Sequence, residues 1–340
     1  MTRARSVALT MGALIFVVSG CAPMAGQGTG PPGSMVSGGS GATSGATSAP
    51  GATSGPSLVA PTAGSSATGG VAPQPVPADL QPALDQAAND VPVIYTDGCH
   101  LSLVETQPPP CVFGDVTSQI VVVLFGDSIA GQWFPALEQL AITHQWRLVS
   151  LTKSACTAAD VRVWNSSLNG VYTQCDVWRE NALARIAAEH PTLVVVSDDR
   201  LYELAIGGAP VPVAQATDVW TAGLSRTLAR LHSMSGSVVL MGVTPRSKFD
   251  VPACLAAHLA NALACATPAR QAINAAWLAT DRATAAATGA RFIDPTPWVC
   301  PSDPCPPVIG NVLVYREQDH MTAVFSADLA TRLGAALQVP

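Results

Sequence analysis

The stretch that decides the fold is Ile120 to Ser128, which reads IVVVLFGDS. The apolar run from Ile120 to Phe125 predicts a buried strand, because strands covered on both faces show no alternation of apolar and polar residues. The turn Gly126-Asp127-Ser128 then brings a serine hydroxyl to the end of that strand. In parallel sheets, ligands bind beyond the carboxyl ends of the strands, so Ser128 is a candidate nucleophile.

Outward from this strand, apolar runs alternate with helical stretches, which is the pattern of a parallel sheet between two layers of helices. The expected strands span residues 120–125, 147–151, 193–197, 237–243 and 291–293. The expected helices span about 131–144, 176–190, 213–233, 268–288 and 323–337. This order predicts a three-layer α/β/α sandwich with a five-stranded parallel sheet, in the flavodoxin-like style.

A serine hydroxyl is a weak nucleophile and needs a base, which a third group orients. Of the six histidines, His320 alone follows the last expected strand, precedes a helix and has acids beside it. Glu317, three residues earlier, can lie on the same side of a turn as the imidazole. Asp319 is the alternative acid, although adjacent side chains normally point apart. We therefore favour Ser128, His320 and Glu317 as catalytic residues, and a merely polar surface loop is the competing interpretation of the 317–320 segment.

The first 20 residues are typical of an export signal. Arg3 and Arg5 precede an apolar core that is too short to span a bilayer, which needs about 20 residues. The ending Val-Ser-Gly-Cys at Cys21 resembles a bacterial lipobox, so we predict lipidation of Cys21 and an extracytoplasmic protein anchored to the outer face of the cell membrane. Ordinary secretion with an unmodified Cys21 is the alternative.

The mature part divides into two regions. Residues 21–78 carry no charged side chain and are dominated by Gly, Ser, Thr, Ala and Pro, so they predict a disordered tether. Residues 79–340 have the size of one α/β domain. The chain has a net charge of −6 and no basic cluster, which excludes a nucleic-acid-binding surface.

The remaining eight of the nine cysteines fall into couples that are close in sequence. An exported chain is expected to oxidise them, and local pairing is the simplest connectivity. Metal binding is the competing idea, which the absence of any Cys-x-x-Cys spacing disfavours. The predicted disulfides are Cys99–Cys111, Cys156–Cys175, Cys254–Cys265 and Cys300–Cys305.

Four blocks of the sequence resemble the SGNH (GDSL-type) hydrolases, and specifically the SGNH domain attached to bacterial membrane acyltransferases that O-acylate surface glycans. The blocks are LFGDSIAGQW at 124–133, KSAC at 153–156, PACL at 252–255 and YREQDHMT at 315–322. The resemblance covers the chain from about Cys99 onward. It implies an SGNH hydrolase fold with Ser128 as nucleophile, His320 as base and, three residues before it, Glu317 where the family usually has aspartate.

Two departures from the family pattern concern the oxyanion hole. The family uses a glycine N–H where this chain reads Lys153-Ser154-Ala155, and an asparagine where Asp198 follows the third strand. Ser154, Ala155 and Asp198 are therefore the expected oxyanion or binding residues. A carboxylate would repel an oxyanion, and losing one donor typically costs on the order of a hundredfold or more in rate.

The resemblance implies a serine esterase or O-acyltransferase that acts on short acyl esters, with acetyl the expected group, of cell-envelope glycans. The expected partners are an envelope glycan or acylated sugar and a membrane acyltransferase, and no metal or organic cofactor is implied. Trp133, Trp164 and Trp178 are candidate surfaces for sugar stacking, although tryptophans near helices are more often core residues. The alternative function, motivated by the missing asparagine, is a catalytically silent domain that binds glycan or a partner acyltransferase.

Overall fold

The computed structural model describes residues 73–338. The predicted signal peptide, Cys21 and the tether up to residue 72 lie outside these residues. The N–H of Val76 donates to the carbonyl of Leu259 at 2.9 Å, and the N–H of Ala262 donates to the carbonyl of Gln74 at 2.7 Å. Packing of the folded domain therefore begins before the predicted boundary at Asp79.

A mostly parallel sheet of seven strands forms the centre of the fold. The sheet strands are β1 (His100–Leu101), β2 (Val112–Gly114), β3 (Val121–Gly126), β4 (Arg147–Lys153), β7 (Leu193–Ser197), β10 (Val238–Met241) and β11 (Arg291–Ile293). Six of them follow the order β1-β4-β3-β7-β10-β11, and β2 pairs antiparallel with β4 on the edge that β4 also offers to β1. A small antiparallel sheet contains β5 (Arg162–Asn165), β6 (Gly170–Val171), β8 (Glu203–Ile206) and β9 (Ala209–Pro210), and a hairpin contains β12 (Val308–Ile309) and β13 (Val312–Leu313).

Helices lie on both faces of the central sheet. They are α1 (Ser128–Gly131), α2 (Phe134–His144), α3 (Thr173–Glu189), α4 (Val213–His232), α5 (Val251–Ala257), α6 (Ala269–Ala272), α7 (Ala275–Ala287), α8 (Thr296–Val299), α9 (Ala323–Asp328) and α10 (Ala330–Leu337). Short 3-10 turns occur at Ala87–Asn89, Val93–Tyr95, Ser166–Leu168 and Ala262–Cys265. Among residues 73–338, none of these helices combines the length and the apolar composition that crossing a bilayer requires.

Alternate residues of the central strand β3 pack against opposite layers. Val122 and Leu124 join the cluster formed with α2, α9 and α10. Val121, Val123 and Phe125 join the cluster formed with α3 and α4. Burial on both faces explains why this strand is apolar throughout, and the predicted three-layer sandwich is confirmed.

The five predicted strands all form and run parallel; two match the prediction at both ends, and the ends of the other three differ by at most two residues. The predicted count of five is wrong, because the sheet also contains β1 and β2. The expected helices at 131–144, 268–288 and 323–337 are each divided in two. In the second case Ile273 is extended (φ −116°, ψ 124°), and the side chain of Asn274 caps α7 by accepting from the N–H of Trp277.

Each predicted cysteine pair forms a disulfide in the structure. The Cα–Cα distances run from 4.5 to 5.8 Å, within the range for bridged cysteines. The Cys156–Cys175 bridge joins the loop after β4 to the first turn of α3. That loop contains Ser154 and Ala155.

Candidate active site

Ser128 is placed by the turn that ends β3. Gly126 has φ +148°, and a Cβ there would lie 2.0 Å from the carbonyl oxygen of Ser197 on β7, so only glycine fits. Asp127 caps α1, since its Oδ1 accepts from the N–H of Ile129 at 2.7 Å. Ser128 is therefore the first residue of α1, at the carboxyl end of the strand.

Asp127 holds the ends of β3 and β7 together. Its Oδ2 accepts from the backbone N–H of Asp199 at 2.7 Å and from the hydroxyl of Tyr202. Burial, together with the charge of Asp199, raises the pKa of Asp127 to about 6. With its oxygens occupied by these donors, Asp127 has a positioning role and does not compete as a base.

His320 lies in a narrow turn between Tyr315 and Met321, which pair as an antiparallel bridge. The Glu317 carboxylate stabilises the turn, because it accepts from the backbone N–H groups of Gln318 at 2.8 Å and His320 at 3.1 Å. Glu317 thus fixes the backbone that carries His320 as well as the ring itself.

The structure brings Ser128, His320 and Glu317 into one hydrogen-bonded row. Ser128 Oγ lies 2.8 Å from His320 Nε2, a distance at which the hydroxyl donates to a neutral ring. His320 Nδ1 bonds to Glu317 Oε1. Asp319 Oδ1 is 3.4 Å from the same Nδ1, so Glu317 is the nearer of the two candidate acids.

The carboxylates set the charge of the imidazole. Burial disfavours the charged ring, but the hydrogen bonds and the charges of Asp319 and Glu317 outweigh it and raise the pKa of His320 to about 9. Burial also opposes the charge of Glu317, yet the bonds from His320 and the turn hold the pKa of Glu317 well below its usual range. The two carboxylates therefore favour the protonated form of the imidazole beside Ser128.

Arg246 pairs with the carboxylate oxygen of Asp319 that does not face His320. The guanidinium of Arg246 pairs with Asp319 and, at 3.0 Å, with Asp199 Oδ2 beyond β7. This bridge connects the turn that carries His320 to the loop after β7. Sequence reasoning missed Arg246, although its position shortly after β10 at the same sheet edge was a usable signal.

Gln132 is a second residue that sequence reasoning missed. Its Oε1 accepts from the N–H of Met321 at 2.9 Å, and its Nε2 donates to Thr244 Oγ1 at 3.1 Å. Gln132 is buried and follows Ser128 by four residues, one helical turn, so it joins the nucleophile segment directly to the segment that carries His320. The spacing of four was the available signal.

The three expected oxyanion residues differ in their surroundings. The N–H of Ser154 donates to the carbonyl of Leu101 at 2.8 Å and is occupied. Ala155 has φ +51°, the left-handed conformation that favours glycine. Asp198 Oδ1 accepts from the N–H of Ala158 at 2.8 Å, so this carboxylate bonds to the loop after β4. Burial, with the charge of Asp127, raises the pKa of Asp198 well above its usual value.

Two backbone donors follow the carboxyl ends of neighbouring strands. Among the hydrogen bonds of residues 73–338, none uses the N–H of Ser128, which follows β3, or of Ala155, which follows β4. Because α1 has only four residues, an oxyanion there would depend on such local N–H groups and not on the dipole of a long helix.

His100 supports the same loop and was also missed. Its Nδ1 lies 3.0 Å from Thr152 Oγ1, its Nε2 lies 3.0 Å from Ser154 Oγ, and the ring stacks on Tyr95 at 4.2 Å. Burial, followed by the positive charge of His320, lowers the pKa of His100 to about 3. His100 is thus a neutral ring that orients the Ser154 hydroxyl.

The candidate stacking tryptophans are not all at the surface. Trp133 and Trp178 are each 0% exposed and belong to the two cores, which rules them out as sugar platforms. Trp164 is half-buried in β5 of the small sheet.

Two clusters in residues 73–338 have donor atoms close enough to share a metal ion. In the first, Cys254 and Cys265 are joined as a disulfide and flank His258, so their sulfurs are not thiolates. The second consists of Glu317, Asp319 and His320, whose donor atoms already bond to one another, to Arg246 and to Ser128.

Known proteins resemble this chain in sequence and in fold. Residues 98–334 match the family model described as SGNH domain (fused to AT3 domains). The fold is similar to the lipopolysaccharide acetyltransferase periplasmic domain of Salmonella ser. Paratyphi A, with 14% identity, 66% of this chain and 86% of that chain covered, and a TM-score of 0.51.

A second similar structure is Axe2, an acetylxylan esterase from Geobacillus stearothermophilus, with 13% identity, 66% and 97% of the two chains covered, and a TM-score of 0.39. No curated protein matches the sequence. Because the family match spans well over half of the chain and includes the segments of Ser128 and His320, this protein belongs to the family described as SGNH domain (fused to AT3 domains).

Proposed function

We propose that this protein is an extracytoplasmic serine esterase or O-acyltransferase that acts on short acyl esters, acetyl above all, of cell-envelope glycans. The observation that carries the proposal is the hydrogen-bonded row in which Ser128 Oγ lies 2.8 Å from His320 Nε2 while Nδ1 bonds to Glu317. A serine, a base and an orienting acid in this order are what acyl transfer through a covalent intermediate requires.

In the first half-reaction, Ser128 Oγ attacks the carbonyl carbon of the ester while neutral His320 Nε2 takes the hydroxyl proton. The N–H groups of Ser128 and Ala155 bind the oxygen that becomes negative. The tetrahedral intermediate then collapses, the C–O bond to the sugar breaks, and His320 gives its proton to the departing sugar oxygen. The product is an acyl-enzyme on Ser128.

In the second half-reaction, water or another sugar hydroxyl attacks the acyl-enzyme. His320 removes the proton of the attacking hydroxyl and returns it to Ser128 Oγ as the acyl bond breaks. Attack by water gives an esterase, and attack by a sugar gives an acyltransferase. Glu317 stabilises the imidazolium in both halves without itself becoming protonated.

The cellular setting follows from separate observations. The four disulfides suit an oxidising compartment, and the lipobox-like ending at Cys21 suits a lipid anchor on the outer face of the cell membrane. The family description names fusion to AT3 domains, so we place the source of acyl groups with a membrane acyltransferase. The acetyltransferase similarity supports a glycan as the acceptor.

The test is hydrolysis of p-nitrophenyl acetate by the wild-type protein and by Ser128→Ala. Ser167→Ala is the matched control, because Ser167 is exposed in the 3-10 turn next to the small sheet. Serine-dependent hydrolysis, together with an intact-mass increase after fluorophosphonate treatment in wild type and Ser167→Ala but not in Ser128→Ala, is the expected result.

The silent-domain alternative makes the opposite prediction for the same assay. Equal background rates from wild type and Ser128→Ala, with no fluorophosphonate adduct, would show that the row does not activate the serine. The contact of Ser128 Oγ with His320 Nε2 at 2.8 Å, with Glu317 bonded to the same ring, supports the enzymatic proposal over this alternative.

A further inference from the structure

A cleft of about 600 Å³ lies beside the segment that carries His320. It extends from Gln318 and Arg246 past Ile273 to Trp277. Gln318 precedes His320 by two residues, and Arg246 pairs with Asp319. The volume falls within the range of about 300–1,000 Å³ that is typical of ligand sites, so the cleft has room for part of a substrate attached to the reacting ester.

The charge of the cleft is opposite to that of the protein. Its lining contains three cations, Arg246, Lys248 and Arg270, and no acidic residue, whereas the whole chain has a net charge of −6. Arg246 is neutralised by Asp199 and Asp319.

Lys248 and Arg270 differ from Arg246, because they have no acidic partner in the part of the chain that the structure describes. Within residues 73–338, no acidic side chain lies within ion-pair distance of either one, and both are exposed. Asp303 accepts from the N–H of Ala269, the first residue of α6, and does not line the cleft. The lining of the cleft therefore includes two positive charges that have no acidic partner among the described residues.

Trp277 supplies an apolar wall. Its half-buried indole is packed near the guanidinium of Arg200, 5.6 Å from the ring centroid. A second cleft of about 420 Å³, lined by Tyr202 and Trp220, shares Leu201 and Trp277 with the first. The shared indole gives a sugar ring a flat surface, next to polar groups that can hold its hydroxyls.

We infer that this cleft binds the saccharide of the substrate and that this saccharide is anionic, with carboxylate or phosphate groups that reach Lys248 and Arg270 while a ring packs on Trp277. The inference rests on the proposed function and specifies its substrate class. A neutral glycan would use Trp277 but leave the two cations without a partner.

The test measures binding by calorimetry on the full chain with Ser128→Ala, which retains the cleft but lacks the nucleophile. The ligands are tetragalacturonate for carboxylates, a tetrasaccharide bearing sugar phosphates, neutral xylotetraose, and inorganic phosphate alone. We expect at least one anionic tetrasaccharide to bind at least tenfold more tightly than xylotetraose. This difference in affinity should decrease with added salt, because the Debye length falls from about 10 Å at 0.1 M to about 3 Å at 1 M. The better of the two anionic ligands identifies which charged group the cleft accepts.

Variants then locate the site. Lys248→Gln and Arg270→Gln should each weaken the anionic tetrasaccharide by roughly two- to fivefold, as exposed ion pairs do, and leave xylotetraose unaffected. Arg332→Gln, which removes an exposed cation on α10, is the matched control and should change neither. Trp277→Ala should weaken both tetrasaccharides roughly tenfold, and Trp277→Phe should recover part of the loss if the ring is a platform.

The outcomes separate the two proposals. Equal affinity for neutral and anionic tetrasaccharides, an equal effect of Arg332→Gln, or binding of inorganic phosphate as tight as that of the saccharides would overturn the inference. None of these results depends on catalysis, because Ser128 is absent from the binding experiment. Absence of serine-dependent ester hydrolysis would instead remove the enzymatic proposal and leave a glycan-binding cleft.

Discussion

At the residue scale, the two carboxylates beside His320 have different tasks. Glu317 bonds to Nδ1, whereas Asp319 is held by Arg246. We expect Glu317→Gln to lower kcat/KM for p-nitrophenyl acetate by on the order of 10²–10⁴-fold, because an amide cannot stabilise the imidazolium and favours the wrong tautomer. Asp319→Asn should lose clearly less. The reverse ranking in a side-by-side assay would assign the acid to Asp319.

The raised pKa of His320 predicts a pH profile. Only the neutral ring accepts the proton of Ser128, and with a pKa of about 9 the neutral fraction rises throughout the range below that value. The ester kcat/KM of the free protein should therefore rise about tenfold per pH unit from near neutrality toward pH 9. In Glu317→Gln, loss of one charge that favours the imidazolium should move the rise to lower pH. A flat wild-type profile between about pH 7 and 9 would contradict the assignment of His320 as base.

Ala155 offers a test of backbone conformation at the proposed oxyanion hole. The left-handed conformation destabilises the folded state of a residue with a Cβ by roughly 1–2 kcal/mol. Glycine does not have this penalty, but its greater freedom stabilises the unfolded chain by about 0.4–1 kcal/mol. We expect Ala155→Gly to raise the free energy of unfolding by up to about 1 kcal/mol and to keep esterase activity, since the N–H remains. Ala279→Gly, at an exposed position within α7, should lower it by roughly 0.5–1 kcal/mol. Denaturant unfolding checks both, and a loss of stability in both variants would show that the Ala155 conformation carries no strain.

At the scale of elements, the sequence predicts the strands and helices whose apolar residues form a long run or a regular pattern. The run at Val121–Gly126 and its parallel neighbours are long enough to be read directly, and the turn after β3 follows from Gly126 and Asp127. The edge strand His100–Leu101 and the small sheet have strands of two to four residues, which are too short to show a period. The helix break at Asn274 depends on one side-chain cap.

The residues of the site also fall into two groups, those that the sequence indicates and those that only the fold reveals. Ser128, His320 and Glu317 are close to recognisable sequence signals, so they could be selected before the fold was known. The position of Arg246 shortly after β10 was a usable signal, but the roles of Arg246 and His100 arise from contacts with Asp319 and Ser154 that only the folded sheet edge creates.

The bridge between Cys156 and Cys175 gives a prediction at this scale. It closes a separation of 19 residues and anchors the loop of Ala155 to α3, whereas Cys300–Cys305 closes 5 residues. We expect the double replacement of Cys156 and Cys175 by serine to lower the free energy of unfolding by about 3 kcal/mol, against about 2 kcal/mol for Cys300 and Cys305. Only the first pair should also reduce ester hydrolysis. Unfolding and activity of the two double variants, measured together, provide the check, and equal activity losses would show that the first bridge does not support the site.

At the scale of the whole molecule, the proposed function requires the domain to be retained at the cell envelope, beside its proposed glycan. The sequence around Cys21 predicts how this retention occurs. Stable membrane anchoring needs more hydrophobic area than a single acyl chain provides, so a lipid with several chains on Cys21 would suffice, whereas an unlipidated chain would not.

Replacement of Cys21 therefore tests the whole arrangement. We expect Cys21→Ser to move the protein from the detergent phase to the aqueous phase on phase partitioning, while its specific activity on p-nitrophenyl acetate stays the same because the row of Ser128, His320 and Glu317 is untouched. Ser48→Ala, in the same uncharged stretch, is the control and should stay in the detergent phase. A Cys21→Ser protein that still partitions with detergent would show that another segment holds it at the membrane. The variant is also expected to keep its activity on the small ester and to lose acylation of envelope glycan in cells. That combination would show that the anchor is not needed for the chemical reaction and acts by placing the cleft near the glycan.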